Sequence, residues 1–129
     1  MTRRAARRRS CSFDTVAALG LALPDVETAT RYDGAAILRM RGCFMAGMAT
    51  HRSTEPGTLV VRTGLEEREC LLEEAPETYY LTGHYQKHPV FLVRLSRIDP
   101  DALRDLLAVS WRLTAAKKPS RGSRGAPRS

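Results

Sequence analysis

Four arginines stand where a strand would alternate them against apolar residues: Arg39 and Arg41 against Leu38 and Met40, Arg62 against Leu59 and Val61, and Arg94 against Val93 and Leu95. Successive strand side chains point to opposite faces. Helices covering the apolar face would therefore leave these guanidiniums together on the other, with Tyr85 and Lys87 at its rim. Guanidinium groups spread over several strands hold phosphate oxygens, and a tyrosine stacks on an exposed base. Arg39, Arg41, Arg62, Tyr85, Lys87 and Arg94 are thus the candidate nucleic-acid contacts. The competing explanation is ordinary: an antiparallel sheet commonly leaves one face in water, where arginines pair with glutamates.

Other reactive side chains point to less. His84 and His88 stand four apart, a spacing that suits two metal ligands on a helix, but they fall in a connector beside Gly83 and Pro89 without a cysteine or carboxylate to complete a tetrahedral set. No metal or other cofactor is expected. Cys43 falls in a strand and Cys70 on a helix, where cysteine behaves as a small hydrophobe more often than as a nucleophile. Glu66, Glu67, Glu69, Glu73 and Glu74 cluster on one helix, where a solvated face accounts for them. With no phosphate-cradling glycine loop, nucleophile elbow or HExxH, catalysis is not expected.

The elements that would position these residues centre on 78–97. Two extended pieces, 78–82 and 90–95, flank a polar connector, and the second alternates Phe91, Val93 and Leu95 against Leu92 and Arg94. Upstream, Ser12 caps a helix that Pro24 ends, with Val16, Leu19 and Leu23 on one side. Residues 25–34 are polar and rich in turn formers. Residues 37–41 and 43–46 form a hairpin around Gly42, and 59–62 form a strand. Thr63-Gly64-Leu65-Glu66 matches a capping box opening a helix that runs to about Ala75. Asp99-Pro100-Asp101 opens the last helix, which runs to about Ala116, with Ile98 stapled to Leu103. The fold class is α+β, a mainly antiparallel sheet with helices packed on one face, in the order α-β-β-β-α-β-β-α.

A formal charge of +7 on 129 residues would suggest a polyanion partner, but its distribution along the chain is uneven. Residues 1–11 hold five arginines and residues 117–129 five cations, neither segment with an acid, while 12–116 holds eleven cations against fourteen carboxylates. The expected organisation is a disordered basic tail over 1–11, a single domain over 12–116 and a second disordered basic tail over 117–129. Such tails attract nucleic acid without choosing a sequence. Three widely spaced cysteines argue against a disulfide framework and for the cytoplasm. The short apolar run 16–23 reads as a helix rather than an export signal, and no run is long enough to span a membrane.

The segments Phe13-Asp14-Thr15-Val16 through Ala22-Leu23-Pro24, Arg41-Gly42-Cys43-Phe44, Leu59-Val60-Val61-Arg62 with Glu66-Glu67-Arg68, Gly83-His84-Tyr85, Phe91-Leu92-Val93-Arg94-Leu95, and Ala102-Leu103-Arg104 to Trp111-Arg112-Leu113 together resemble the MmcQ/YjbR family over about residues 12–118. The resemblance implies a small bacterial α+β domain with a CyaY-like fold and a DNA-binding role. The chain departs from the family pattern at Gly34-Ala35-Ala36-Ile37 and at His88-Pro89-Val90-Phe91, both near the expected ligand-facing edge. The expected function is weak, non-specific DNA binding by a monomer through the arginine-bearing sheet face and the basic tails. The alternative is a non-catalytic protein-interaction or small-ligand module with Tyr79, Tyr80, His84, Tyr85 and Trp111 lining a cleft.

Overall fold

The computed structural model describes residues 11–116; the basic runs in 1–10 and 117–129 lie outside the described residues. The element order is α1 (Phe13–Leu21), β1 (Val26–Thr30), β2 (Ala36–Met40), β3 (Cys43–Met48), β4 (Thr58–Arg62), α2 (Leu65–Glu74), β5 (Tyr79–Tyr80), β6 (Val90–Arg94) and α3 (Pro100–Ala116). The strands form one antiparallel sheet in the order β1-β2-β3-β4-β6-β5, so the fold is α+β and the expected elements occur in the expected order. One more strand is present. Residues 26–30, read as part of a turn-rich stretch, form β1 and pair along β2 from Val26↔Met40 to Thr30↔Ala36. Its alternation is faint because an edge strand buries little, and only Val26 and Ala29 are more than peripheral.

Helices α1 and α3 cover one face. Leu38, Met40, Leu59, Val61, Phe91 and Val93 point into this main core and meet Val16, Leu103 and Leu107. The buried residues of α3, Leu103, Leu107, Ser110 and Thr114, recur at three- and four-residue intervals along one stripe. Asp99 caps it as expected, its Oδ1 accepting the Ala102 N–H at 2.9 Å, and Ile98 and Leu103 are buried in the same core. The expected capping box of α2 does not form. Gly64 occupies the N-cap, and Thr63 is buried, its N–H donating to Pro89 O at 2.8 Å. Helix α2 itself has no buried residue and rests shallowly through Leu71 and Leu72.

A β-bulge shapes the centre of the sheet. Leu38 opposes Ala46 and Arg39 opposes Phe44, which leaves Met45 without a partner on β2. Met45 is fully buried, and its carbonyl accepts the buried Ser110 hydroxyl at 3.1 Å. The bulge turns Phe44 onto the face opposite the helices.

Candidate functional site

The face away from α1 and α3 carries a second, smaller apolar cluster: Val60, Val90 and Leu92, with Phe44, Ala49, Tyr80 and Tyr85 packed against it. It is partly roofed by the loop 49–57 and by the connector 81–89, which contains a 3₁₀ turn at Gly83–Tyr85. Arg68 reaches from α2 to hold that connector, donating to His88 O at 2.9 Å, Val90 O at 3.1 Å and Gln86 O at 3.3 Å. Tyr80 pins the loop from below, its hydroxyl accepting the Glu55 N–H at 2.8 Å and meeting the Thr58 hydroxyl.

Strand phase places Arg39, Arg62 and Arg94 on this face, since Arg62 opposes Val90 and Arg94 opposes Thr58. They do not form a shared platform of unpaired guanidiniums. Arg39 meets Glu27 of the neighbouring strand at 3.3 Å. Arg94 grips both carboxylate oxygens of Glu55 at 2.9 Å, donates to Pro76 O and Glu77 O, and lies 4.2 Å over the Tyr80 ring. Nε and Nη2 of that guanidinium hold the 49–57 loop through Glu55 while Nη1 holds the segment after α2, and the Glu55 carboxyl is held below its ordinary range, chiefly by the Arg94 hydrogen bonds.

Arg41 is not a strand residue. The strand ends at Met40, and Arg41 and Gly42 form a two-residue hairpin turn with φ of 54° and 82°, the left-handed geometry such turns demand. Its guanidinium pairs with Asp25 at 2.8 Å. Lys87 is exposed in the connector.

Arg62 differs from the others. Its Nε donates to Phe44 O at 2.8 Å, just past the point where the β3–β4 ladder ends at Ala46↔Val61. Among the described residues no carboxylate pairs with it. It lines a depression of about 480 Å³ with Arg31, Phe44, His84, Tyr85 and His88. A second depression of about 490 Å³ shares Arg31, His84 and Tyr85 and adds Asp33, Thr50, His51 and Arg52. The two form one trough with three guanidiniums, all three histidines of the chain and a single acid. That acid is already occupied: Asp33 accepts the Ala35 N–H at 3.0 Å and the Thr50 hydroxyl at 2.9 Å, with Arg31 at 3.8 Å. These contacts, led by the Ala35 N–H, lower its pKa and keep it ionised.

The imidazoles of His51 and His84 stack at 3.6 Å and 11°, and Tyr85 stands edge-on to His84 at 4.7 Å. Arg31, His51 and Arg52 gave no sequence signal, because isolated polar residues in loops have no period to betray a shared face. Among the described residues no group of three His, Cys, Asp or Glu has the geometry to hold a metal ion. The alternative aromatic cleft is divided by the sheet: Tyr79 faces the helices and packs on Phe91, and Trp111 donates to Pro24 O, whereas Tyr80, His84 and Tyr85 belong to the opposite face.

The YjbR family model matches residues 21–113, from the end of α1 to the last turns of α3. The chain belongs to the YjbR family. Every residue lining the trough falls inside that match. The YjbR chain is also similar to a solved structure, Deinococcus radiodurans protein DR2400 with family-model domain DUF419, at 19% identity and a TM-score of 0.69 over 86% of this chain and 83% of that one. At that identity the likeness is one of fold. No functionally curated protein matches the sequence. No helix among the described residues is long and apolar enough to cross a membrane.

Proposed function

We propose that this YjbR protein is a non-catalytic module that binds DNA weakly and without sequence preference, with its basic termini supplying long-range attraction and the Arg62–Tyr85 trough the contact made by the folded body. The observation that carries this reading is Arg62. Its Nε is anchored on a backbone carbonyl, and the side chain lines a depression together with Phe44 and Tyr85, with no carboxylate among that depression's lining residues. An anchored guanidinium beside aromatic surface suits a phosphodiester with its adjoining base. Lys87, exposed on the same connector, adds a positive charge two residues from Tyr85. Arg39, Arg41 and Arg94 are left out of the interface because each is already paired with a carboxylate.

The reading is tested by titrating labelled duplex and single-stranded DNA with the full chain at several salt concentrations. Arg62→Ala is expected to weaken binding about five-fold and to reduce the log–log salt slope by about one. Arg41→Ala is expected to change little. If Arg62→Ala and the parent bind alike while a chain lacking 117–129 loses most of its affinity, only the termini contact the nucleic acid.

A further inference from the structure

The half of the trough away from Arg62 contains a feature that a plain anion site does not need. The imidazoles of His51 and His84 are stacked nearly parallel, and imidazole is the side chain whose ordinary charge change lies nearest neutral pH. They are not equivalent. The Nδ1 of His51 accepts the Ser53 backbone N–H at 3.1 Å and lies 2.8 Å from the Ser53 hydroxyl, which in turn meets the Thr82 hydroxyl at 2.9 Å. A backbone N–H can only donate, so Nδ1 of His51 is the acceptor in this contact. His84 makes no hydrogen bond among the described residues and is exposed, free to gain a proton.

The groups that share these depressions with His84 are mostly cationic or imidazole. Arg31 comes from the β1–β2 loop, Arg52 and His51 from the β3–β4 loop, Arg62 from β4, and His88 from the same connector, 6.4 Å away between ring centroids. Asp33 is the single counter-charge, and its two oxygens are engaged by Ala35, Thr50 and Arg31. We propose that this depression is a proton-gated phosphodiester subsite, in which His84, stacked on His51 and flanked by Arg31 and Arg52, takes up a proton as a backbone phosphate enters, so that the grip on nucleic acid tightens as pH falls. The inference rests on the nucleic-acid reading above and adds a regulation to it. Partial desolvation of the His84 ring, then the neighbouring His51 and His88, lowers its pKa in the unliganded protein, which agrees in direction.

The test uses the full chain and a fluorescent thymidine octanucleotide, whose phosphodiesters and bases keep one charge state between pH 5 and pH 7.5, at constant ionic strength. Gaining one charge-assisted hydrogen bond is expected to tighten binding about tenfold at the lower pH. His84→Gln, an exposed substitution, is expected to lose the pH dependence. In NMR titrations the His84 midpoint is expected to rise when the octanucleotide is present. A parent chain with flat pH dependence, or a His84→Gln chain that keeps it, overturns the gate; if Arg62→Ala still weakens binding in that case, the nucleic-acid reading stands. Absence of octanucleotide binding at either pH overturns both.

Discussion

Gly47→Ala offers a sharp test of how the trough is built. Gly47 lies on the open face between Ile37 of β2 and Val60 of β4. A methyl group placed on it would stand 2.5 Å from Ile37 Cγ2, 3.0 Å from Ile37 Cβ and 3.1 Å from Phe44 Cε1. Ile37 is 6% exposed and stiff at χ1, so it has little room to retreat. Overpacking of this kind costs about 1–3 kcal/mol. Alanine recovers about 0.4–1 kcal/mol by restricting the unfolded chain. The net loss is about 1–2 kcal/mol, which for a domain near 100 residues lowers Tm by about 5–15 °C. Urea unfolding of the parent and variant should show a lower midpoint with an unchanged slope. Because Phe44 must yield, and its carbonyl anchors Arg62, binding to DNA should weaken as well. A variant as stable as the parent would refute the packing argument, and one destabilised with DNA binding intact would separate Phe44 from the interface.

Two further outcomes follow from single contacts. Ser110→Ala removes the hydroxyl that satisfies the Met45 carbonyl at the bulge and is expected to cost about 1–2 kcal/mol in the same urea assay, since both groups are buried. Glu55, whose pKa is lowered chiefly by the hydrogen bonds from Arg94, favours its ionised form in the folded state. Its contribution is therefore present above the ordinary carboxylate value and lost as pH falls through its folded value. Glu55→Gln is expected to flatten the acid limb of stability against pH, most visibly below pH 4.5, and an unchanged limb would count against the Arg94 anchor.

Much of the scaffold was legible from alternation and punctuation. The alternating β2 and β6 residues, the Gly42 reversal and the Asp99-Pro100 start are local signals, and each marks an element of the structure. The arginines were half legible. Period-two phase put Arg39, Arg62 and Arg94 on the correct face, but phase stops at a strand end, and Arg41 is the first residue past one. Ion-pair partners were invisible for a different reason: Glu55 and Arg94 are 39 positions apart, and Asp25 and Arg41 are 16 apart, so only the folded topology brings them together. The His51–His84 stack likewise depends on two loops meeting over the sheet. Thr63-x-x-Glu66 had the letters of a capping box, but the Thr63 N–H extends the β4–β6 pairing by donating to Pro89 O.

Arg68 lies in a run of glutamates where its charge would suggest nothing beyond keeping a helix soluble. Its guanidinium nonetheless grips three carbonyls of the strip that carries His84 and Tyr85. A shallow helix on one side of the molecule thereby sets the height of the wall on the other. Substitution at a position remote from any ligand would consequently be felt as a change in ligand fit, and a survey confined to residues touching the trough would overlook it.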